Sequence, residues 1–249
     1  MNILREAKLI LADFDADPAK KEALLNHASA EIRRLAQKHL ELRLKEEARL
    51  DALTVYEQAL YDEGLFLVAG LDEAGRGPLC GPVVAAAVIL PPHARIWGLD
   101  DSKKLSPAKR EELERRIKEK ALFWAVAGVN NRLIDKYNIL QAAYMAMKKA
   151  LFRLPVIPQH LLLDALILPG CGLPQTSIVK GDAKSVSIAA ASILAKCHRD
   201  RVMERFAQIY PQYSLEKHKG YPTAEHCQSI VKNGYSPIHR RSFKVKGMD

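Results

Sequence analysis

Cysteine is scarce. The 249 residues contain four, Cys80, Cys171, Cys197 and Cys227, and no CxxC pair occurs among them. Neither a disulfide framework nor a zinc ribbon is expected, and reduced thiols in a cytoplasmic protein are the plain reading. The eight histidines show no zinc spacing, and Cys197-His198 and His226-Cys227 are adjacent pairs that a tetrahedral site rarely uses. Long apolar runs are missing too. Arg5, Glu6 and Lys8 interrupt the N-terminus MNILREAKLI, which leaves no room for a signal-peptide core. The longest uncharged run, from Gly77 to Ala94, contains Pro78, Pro82, Pro91 and Pro92 and cannot be a spanning helix. No membrane partner is therefore expected.

What is present is enough apolar sequence, 48%, to bury a sizeable core, and an excess of 38 Lys/Arg over 29 Asp/Glu. A net charge of +9 favours an acidic partner such as nucleic acid. The charge is unevenly spread. Residues 1–64 carry 10 basic against 13 acidic residues, and residues 65–249 carry 28 against 16. The last stretch, 196–249, holds 11 basic and 5 acidic residues, so it is the expected landing surface for a polyanion, with Arg240 and Arg241 contributing to non-specific affinity.

Periodicity divides the chain at the same place. Asp17 before Pro18 reads as a helix start, followed by Leu25, Ala28, Ile32, Leu35 and His39 at helical spacing. Thr54 with Glu57 reads as a capping box, and Gly64 as a helix stop. Residues 1–64 are thus expected to form a small helical extension, an interaction module or a buttress. From Leu65 onward, Leu67–Asp72, Val83–Leu90, Phe123–Asn130, Leu161–Ala165 and Ser177–Lys180 read as strands, several buried on both faces. Helices are expected from Ser106-Pro107, over Leu133–Leu151, from Ser185 past Arg205, and after Pro222. That order predicts an α/β domain over 65–249, a mixed sheet with packed helices and a basic C-terminal helical region.

Four acids stand at the edges of these elements. Asp72 and Glu73 close LFLVAGLDE, Asp164 closes HLLLD, and Asp182 follows IVKG before a helix. Adjacent strand residues point to opposite faces, so Asp72 and Glu73 can serve one site only where the strand ends or bulges. Each acid has a bland alternative, and Asp182 in particular could cap the following helix. Together, without a matching His or Cys set, they describe a hard oxygen site suited to Mg²⁺ or Mn²⁺. Gly75, Gly77 and Gly81 miss the dinucleotide fingerprint and precede a strand, so they suit close backbone approach to a sugar or phosphate instead. Tyr221 could by itself simply pad the sheet.

The runs LDEAGRGPLCGPVVAAAVIL, DSKKLSPAKRE, LLLDA, KGDAKSVSIAAASILAKCHRDR, KGYPT and HRRSF, in that order over residues 66–243, resemble bacterial ribonuclease HII. The resemblance implies a ribonuclease H-like fold and cleavage of RNA in RNA–DNA hybrids and at single ribonucleotides in duplex DNA, the chemistry of ribonucleotide excision repair. It implies a two-ion Mg²⁺ or Mn²⁺ site on Asp72, Glu73, Asp164 and Asp182, and products with 3′-hydroxyl and 5′-phosphate ends. It also implies substrate contacts from Gly75, Arg76, Gly77, Tyr221 and Lys103, with Lys104 an alternative for the last, in a monomer. Cys80 and Cys197 stand where small or aliphatic residues are common. A non-catalytic hybrid-binding protein would lose the acid set, and the related ribonuclease HIII would carry a β-rich, basic N-terminal domain. Here that region is helical and acidic.

Overall fold

A short polar side chain followed by proline sets two of the helix starts. Asp17 accepts from the Ala19 N–H at 2.9 Å and opens the helix at Pro18, and Ser106 accepts from the Lys109 N–H at 3.3 Å before the helix at Pro107. The computed structural model describes residues 3–13, 16–245 and 247. The chain forms two compact units, Met1–Ala52 and Leu53–Asp249.

The first unit contains α1 (Ile3–Ala12), α2 (Pro18–Leu25) and α3 (Ala30–Leu53) around Ala7, Leu11, Leu24, Ile32 and Ala36. The continuous periodicity expected from Asp17 to His39 is broken at 26–29. Polar side chains there compete with the helix: Asn26 turns back to the Glu22 carbonyl, His27 Nδ1 accepts from the Ser29 N–H at 3.1 Å, and Arg33 donates to the carbonyls of His27 and Ala28.

The second unit begins with α4 (Val55–Asp62), followed by β1 (Val68–Ala74), β2 (Val83–Ile89), α5 (Pro107–Lys120), β3 (Phe123–Val129), α6 (Asn131–Phe152), β4 (His160–Asp164), β5 (Gln175–Ile178), α7 (Val186–Ile209), α8 (Leu215–His218) and α9 (Ala224–Asn233). The strands form one mixed sheet in the order β3-β2-β1-β4-β5, with β1, β2 and β3 antiparallel and β4 and β5 parallel to β1. Alternation sends Ala69 and Leu71 of β1, with Leu161 and Leu163 of β4, against Ile134, Ala142, Ala146 and Met147 of α6. The opposite face packs Val68 and Leu162 on Ile188 of α7. Gly70 makes this second contact possible, because a Cβ there would lie 2.1 Å from the Ser187 carbonyl carbon. Among the described residues no helix is long and apolar enough to cross a membrane.

Helix α4 belongs with the sheet. Tyr56, Leu60 and Tyr61 pack against Val68, Leu162, Ile178 and Ile188. Glu57 does not complete a capping box with Thr54, which makes no side-chain cap bond. Its buried carboxyl group accepts from the Ser185 hydroxyl and the Ser187 N–H at the start of α7, and these bonds oppose the rise in pKa that burial imposes on it. A chain starting at Leu53 is therefore expected to melt as a cooperative unit. One starting at Leu65 loses the Tyr56, Leu60 and Tyr61 contacts and Glu57, and should melt several degrees lower; thermal unfolding by circular dichroism checks both.

Candidate active site

The parallel pairing of β1 with β4 ends at Leu71 opposite Leu163. The next residues on the two strands, Asp72 and Asp164, are neighbours across a strand spacing of about 4.8 Å and lie on the α7 face. Alternation starts the Glu73 side chain towards the other face, yet its carboxylate still acts on Asp72 and feels Asp164 and Lys103 across the strand end. The strand does not end or bulge at this acid pair, as the sequence pattern suggested: Asp72 pairs with Ala86, Glu73 with Ala85, and β1 runs on to Ala74. The break comes at Gly75, whose φ of +97° is a glycine conformation. Asp182 sits in the 3₁₀ turn Gly181–Ala183, and Ser185, not Asp182, caps α7 by accepting from the Ile188 N–H. The turn is tied to β4 by the Gly181 N–H, which donates to Asp164 Oδ1 at 2.7 Å.

Burial and mutual repulsion govern the electrostatics. Asp72 is 5% exposed, and desolvation with the charges of Glu73 and Asp164 pushes its pKa well above the ordinary range, against a stabilising hydrogen bond from Ser192. Burial also raises Glu73, opposed by Arg76 and Lys103, and burial with Asp101 raises Asp182. Lys103 brings Nζ to 3.4 Å from Asp182 Oδ2. Burial lowers the Lys103 pKa, but Asp182, Asp101 and Asp72 outweigh it and the net shift is upward. Lys104 turns away to Asp100 at 3.2 Å, so the two lysines are separated by their partners.

The donor set fits a hard divalent cation. It offers only carboxylate oxygens, it is desolvated, and Glu73 Oε2 is buried without a hydrogen-bond partner. Elsewhere among the described residues, Cys80, His226 and His239 each bring one potential ligand atom within 4.8 Å of the others. Those three side chains belong to a hydrogen-bond chain. The Ser236 N–H donates to His239 Nδ1 at 2.9 Å, so neutral His239 carries its proton on Nε2 and donates to His226 Nε2 at 3.2 Å. His226 then donates from Nδ1 to the Tyr221 carbonyl at 3.0 Å. Burial lowers both histidines to about 4, which keeps them neutral. A metal on His239 Nε2 would have to displace the proton that this chain requires.

Gly75, Arg76 and Gly77 line the loop after β1. Arg76 Nη1 reaches Glu73 Oε1 at 3.3 Å, and a Cβ on Gly77 would meet only Tyr221, at 3.8 Å. Tyr221 is 43% exposed beside that loop, with Lys196 and Arg199 about the ring at 5.9 and 6.0 Å, so it does not pad the sheet. Arg240 overturns an expectation: it is fully buried and bonded to main-chain carbonyls, while its neighbour Arg241 remains exposed. Charge counting could not separate the two. Ser192, Glu57 and the histidine chain were also missed, because each depends on at least one partner 13 to 146 residues away in sequence, with no local motif to mark it.

The ribonuclease HII family model matches residues 69–246, which hold all of these features but Glu57. The chain belongs to the ribonuclease HII family. Ribonuclease HII of Clostridioides difficile strain 630 is 53% identical over 199 residues, covering 80% of this chain and 78% of that protein. Ribonuclease HII of Caldanaerobacter subterraneus subsp. tengcongensis is 50% identical over 202 residues, 81% of this chain and 84% of that one. Among solved structures, ribonuclease H2 from Pyrococcus horikoshii OT3 matches with a TM-score of 0.61 and 30% identity, over 72% of this chain and 94% of its own. The ribonuclease HII of the Archaeoglobus fulgidus PCNA:RNase HII complex matches with a TM-score of 0.60 and 27% identity, over 70% and 92%. The fold is therefore ribonuclease H-like, and the chain is a ribonuclease H-type endonuclease of type HII, acting on RNA–DNA hybrids and leaving 5′-phosphate ends.

A carboxyl group whose folded pKa lies above its unfolded value binds its proton more tightly in the folded state. Its stabilising contribution is present below the unfolded value, about 3.9, and is lost as pH rises through the folded one. Asp72→Asn should therefore melt higher than the parent at pH 8 in the absence of divalent ions, by roughly 2–4 °C for each kcal/mol of repulsion relieved, with the gap closing towards pH 4. Paired thermal melts across that range check it, and a constant gap would remove the Asp72 charge as its cause.

Proposed function

We propose that this ribonuclease HII hydrolyses the RNA strand of hybrids and also cuts at single ribonucleotides in duplex DNA, using Mg²⁺ or Mn²⁺ held by Asp72, Glu73, Asp164 and Asp182. The observation that carries this reading is the gathering of the acids at the ends of β1 and β4, next to a glycine loop and an exposed tyrosine. Two divalent ions at such a site supply activation of water and stabilisation of the leaving 3′-oxygen. The chain's own residues do the rest. Asp72 and Asp164, on adjacent strands, provide the fixed part of the cage. Glu73 and Asp182 complete it and orient the attacking water. Lys103, on a mobile stem above Asp182, meets the substrate phosphate. Because water attacks, and not the neighbouring 2′-hydroxyl, the products carry 3′-hydroxyl and 5′-phosphate ends.

Recognition of RNA rests on the 2′-hydroxyl. Gly75, Arg76 and Gly77 supply main-chain groups for the sugar and its phosphate, and the Tyr221 ring stacks at the junction without reading the base. The chain is proposed to act as a monomer. It is also taken as cytoplasmic, in keeping with four free cysteines.

Cleavage of a labelled duplex with one ribonucleotide, in Mg²⁺ and Mn²⁺ in parallel, tests the proposal directly. Asp72→Asn should abolish cleavage in both ions while hybrid binding stays within a few fold, and normal turnover in that variant would sink the assignment. Tyr221→Ala should reduce cleavage far more than Tyr221→Phe, with stacking worth about 1–3 kcal/mol. Equal, unimpaired cleavage by both would remove Tyr221 from the site.

A further inference from the structure

Two buried guanidiniums lie beneath the loop that follows β1. Arg240 donates from Nε to the Gly81 carbonyl at 3.1 Å, from Nη1 to the Arg76 carbonyl at 2.9 Å, and from Nη2 to the carbonyls of Gly75 at 2.6 Å and Gly81 at 2.9 Å. Arg199 donates to the carbonyls of Pro82 at 3.1 Å, Cys80 at 3.1 Å and Lys219 at 3.0 Å. Both are fully buried, and among the described residues every hydrogen-bond acceptor they have is a main-chain oxygen. Among the described residues neither arginine forms an ion pair. Burying a cation in that way is costly, so the arrangement calls for a reason.

The reason follows from the planarity of the peptide. In a trans peptide the C=O of one residue and the N–H of the next point in opposite directions. Turning the Gly75 and Arg76 carbonyls inward onto Arg240 therefore turns the N–H groups of Arg76 and Gly77 outward, at two exposed residues beside Tyr221. Successive outward N–H groups make an anion- and hydroxyl-binding concavity. The guanidinium fork, with five donors in one plane, is the side chain that can hold three carbonyls at once, and lysine cannot copy it.

We propose that Arg240, backed by Arg199, is a positioning residue of the reaction: it fixes the Gly75–Gly77 loop with its N–H groups facing the ribonucleotide, and so sets the discrimination between RNA and DNA. This rests on the reading of that loop as the sugar contact, and the experiment separates the two. The measured quantity is the ratio between the inhibition constant of an all-DNA duplex and the KM for the same duplex containing one ribonucleotide. Loss of folded enzyme lowers kcat for a given total protein and leaves this ratio unchanged, whereas a misoriented loop lowers the ratio.

Arg240→Met should lower the ratio about tenfold, as expected when two neutral hydrogen bonds are misaligned. Arg240→Lys, which keeps the charge without the fork, should fall between Met and the parent, and it decides the matter if the Met variant does not fold by circular dichroism. Gly77→Ala is the control on the loop, since its methyl meets nothing within 4 Å but Tyr221 and adds bulk at an exposed residue of the loop. A lowered ratio in Gly77→Ala with a parental ratio in the folded Arg240 variants would overturn the arginine's role alone. A parental ratio in Gly77→Ala would overturn both readings.

Discussion

Carboxylates forced together at the end of a buried strand are the interaction around which this domain is arranged. Asp72 cannot leave the interior, because β1 is the central strand and is paired on both sides up to Leu71. Its neighbours Glu73 and Asp164 are equally tied, one by the same strand and the other by the parallel one. Repulsion and desolvation then act in the same direction on one group, and the backbone has to be rigid enough to resist them. That rigidity comes from close approach. Gly70 lets α7 rest on the sheet backbone, Ser192 of that helix bonds the Asp72 carboxylate, and Glu57 anchors the helix start from α4. The energetic strain at the acids is thus carried by packing several residues away.

A second set of uncompensated charges, of opposite sign, lies on the far side of the Gly75–Pro82 loop. Arg199 and Arg240 are solvated by carbonyl dipoles, which neutralise none of their formal charge. A phosphodiester lying across the loop would have carboxylates on one side and guanidiniums behind the main chain on the other. The first arrangement attracts cations, and the second favours the phosphate that those cations must meet. Separation by a layer of backbone keeps the two from collapsing into ion pairs, which would leave neither available.

Much of this was legible in the sequence, and the part that was not has a common cause. Strand cores such as VVAAAVIL, the starts at Pro18 and Pro107, and acids closing apolar runs are local signals. The elements stand where those signals put them to within a few residues. The four acids could be named because each ends or precedes an element, but their relation in space depends on the parallel pairing of β1 with β4, which local patterns do not encode. Glu57 satisfied a local capping pattern and found a better partner 128 residues away in Ser185. Arg240 in HRRSF is indistinguishable by charge from its neighbour Arg241, yet one is inside and the other outside, since only the fold decides which of them faces the carbonyls of Gly75, Arg76 and Gly81. The break at 26–29 was hidden by apolar spacing that persisted through a polar turn.

The histidine chain extends the same logic to Tyr221. A tyrosine on a turn between Lys219, at φ +49°, and Pro222 would have many orientations if its backbone were held only by neighbouring residues. His226 fixes the carbonyl of Tyr221, His239 fixes the tautomer of His226, and the Ser236 N–H fixes that of His239, so a main-chain donor at one end determines an acceptor at the other. Arg199 holds the adjoining Lys219 carbonyl along with those of Cys80 and Pro82. The turn bearing Tyr221 and the loop bearing Gly77 therefore share one buried anchor. Because both are referred to the same guanidinium, and the Leu79 N–H also donates to the Gly220 carbonyl at 2.8 Å, the spacing between ring and main-chain donors is set by bonds between the two segments and not by either segment alone. A recognition site that measures a single hydroxyl needs that constancy more than it needs additional contacts.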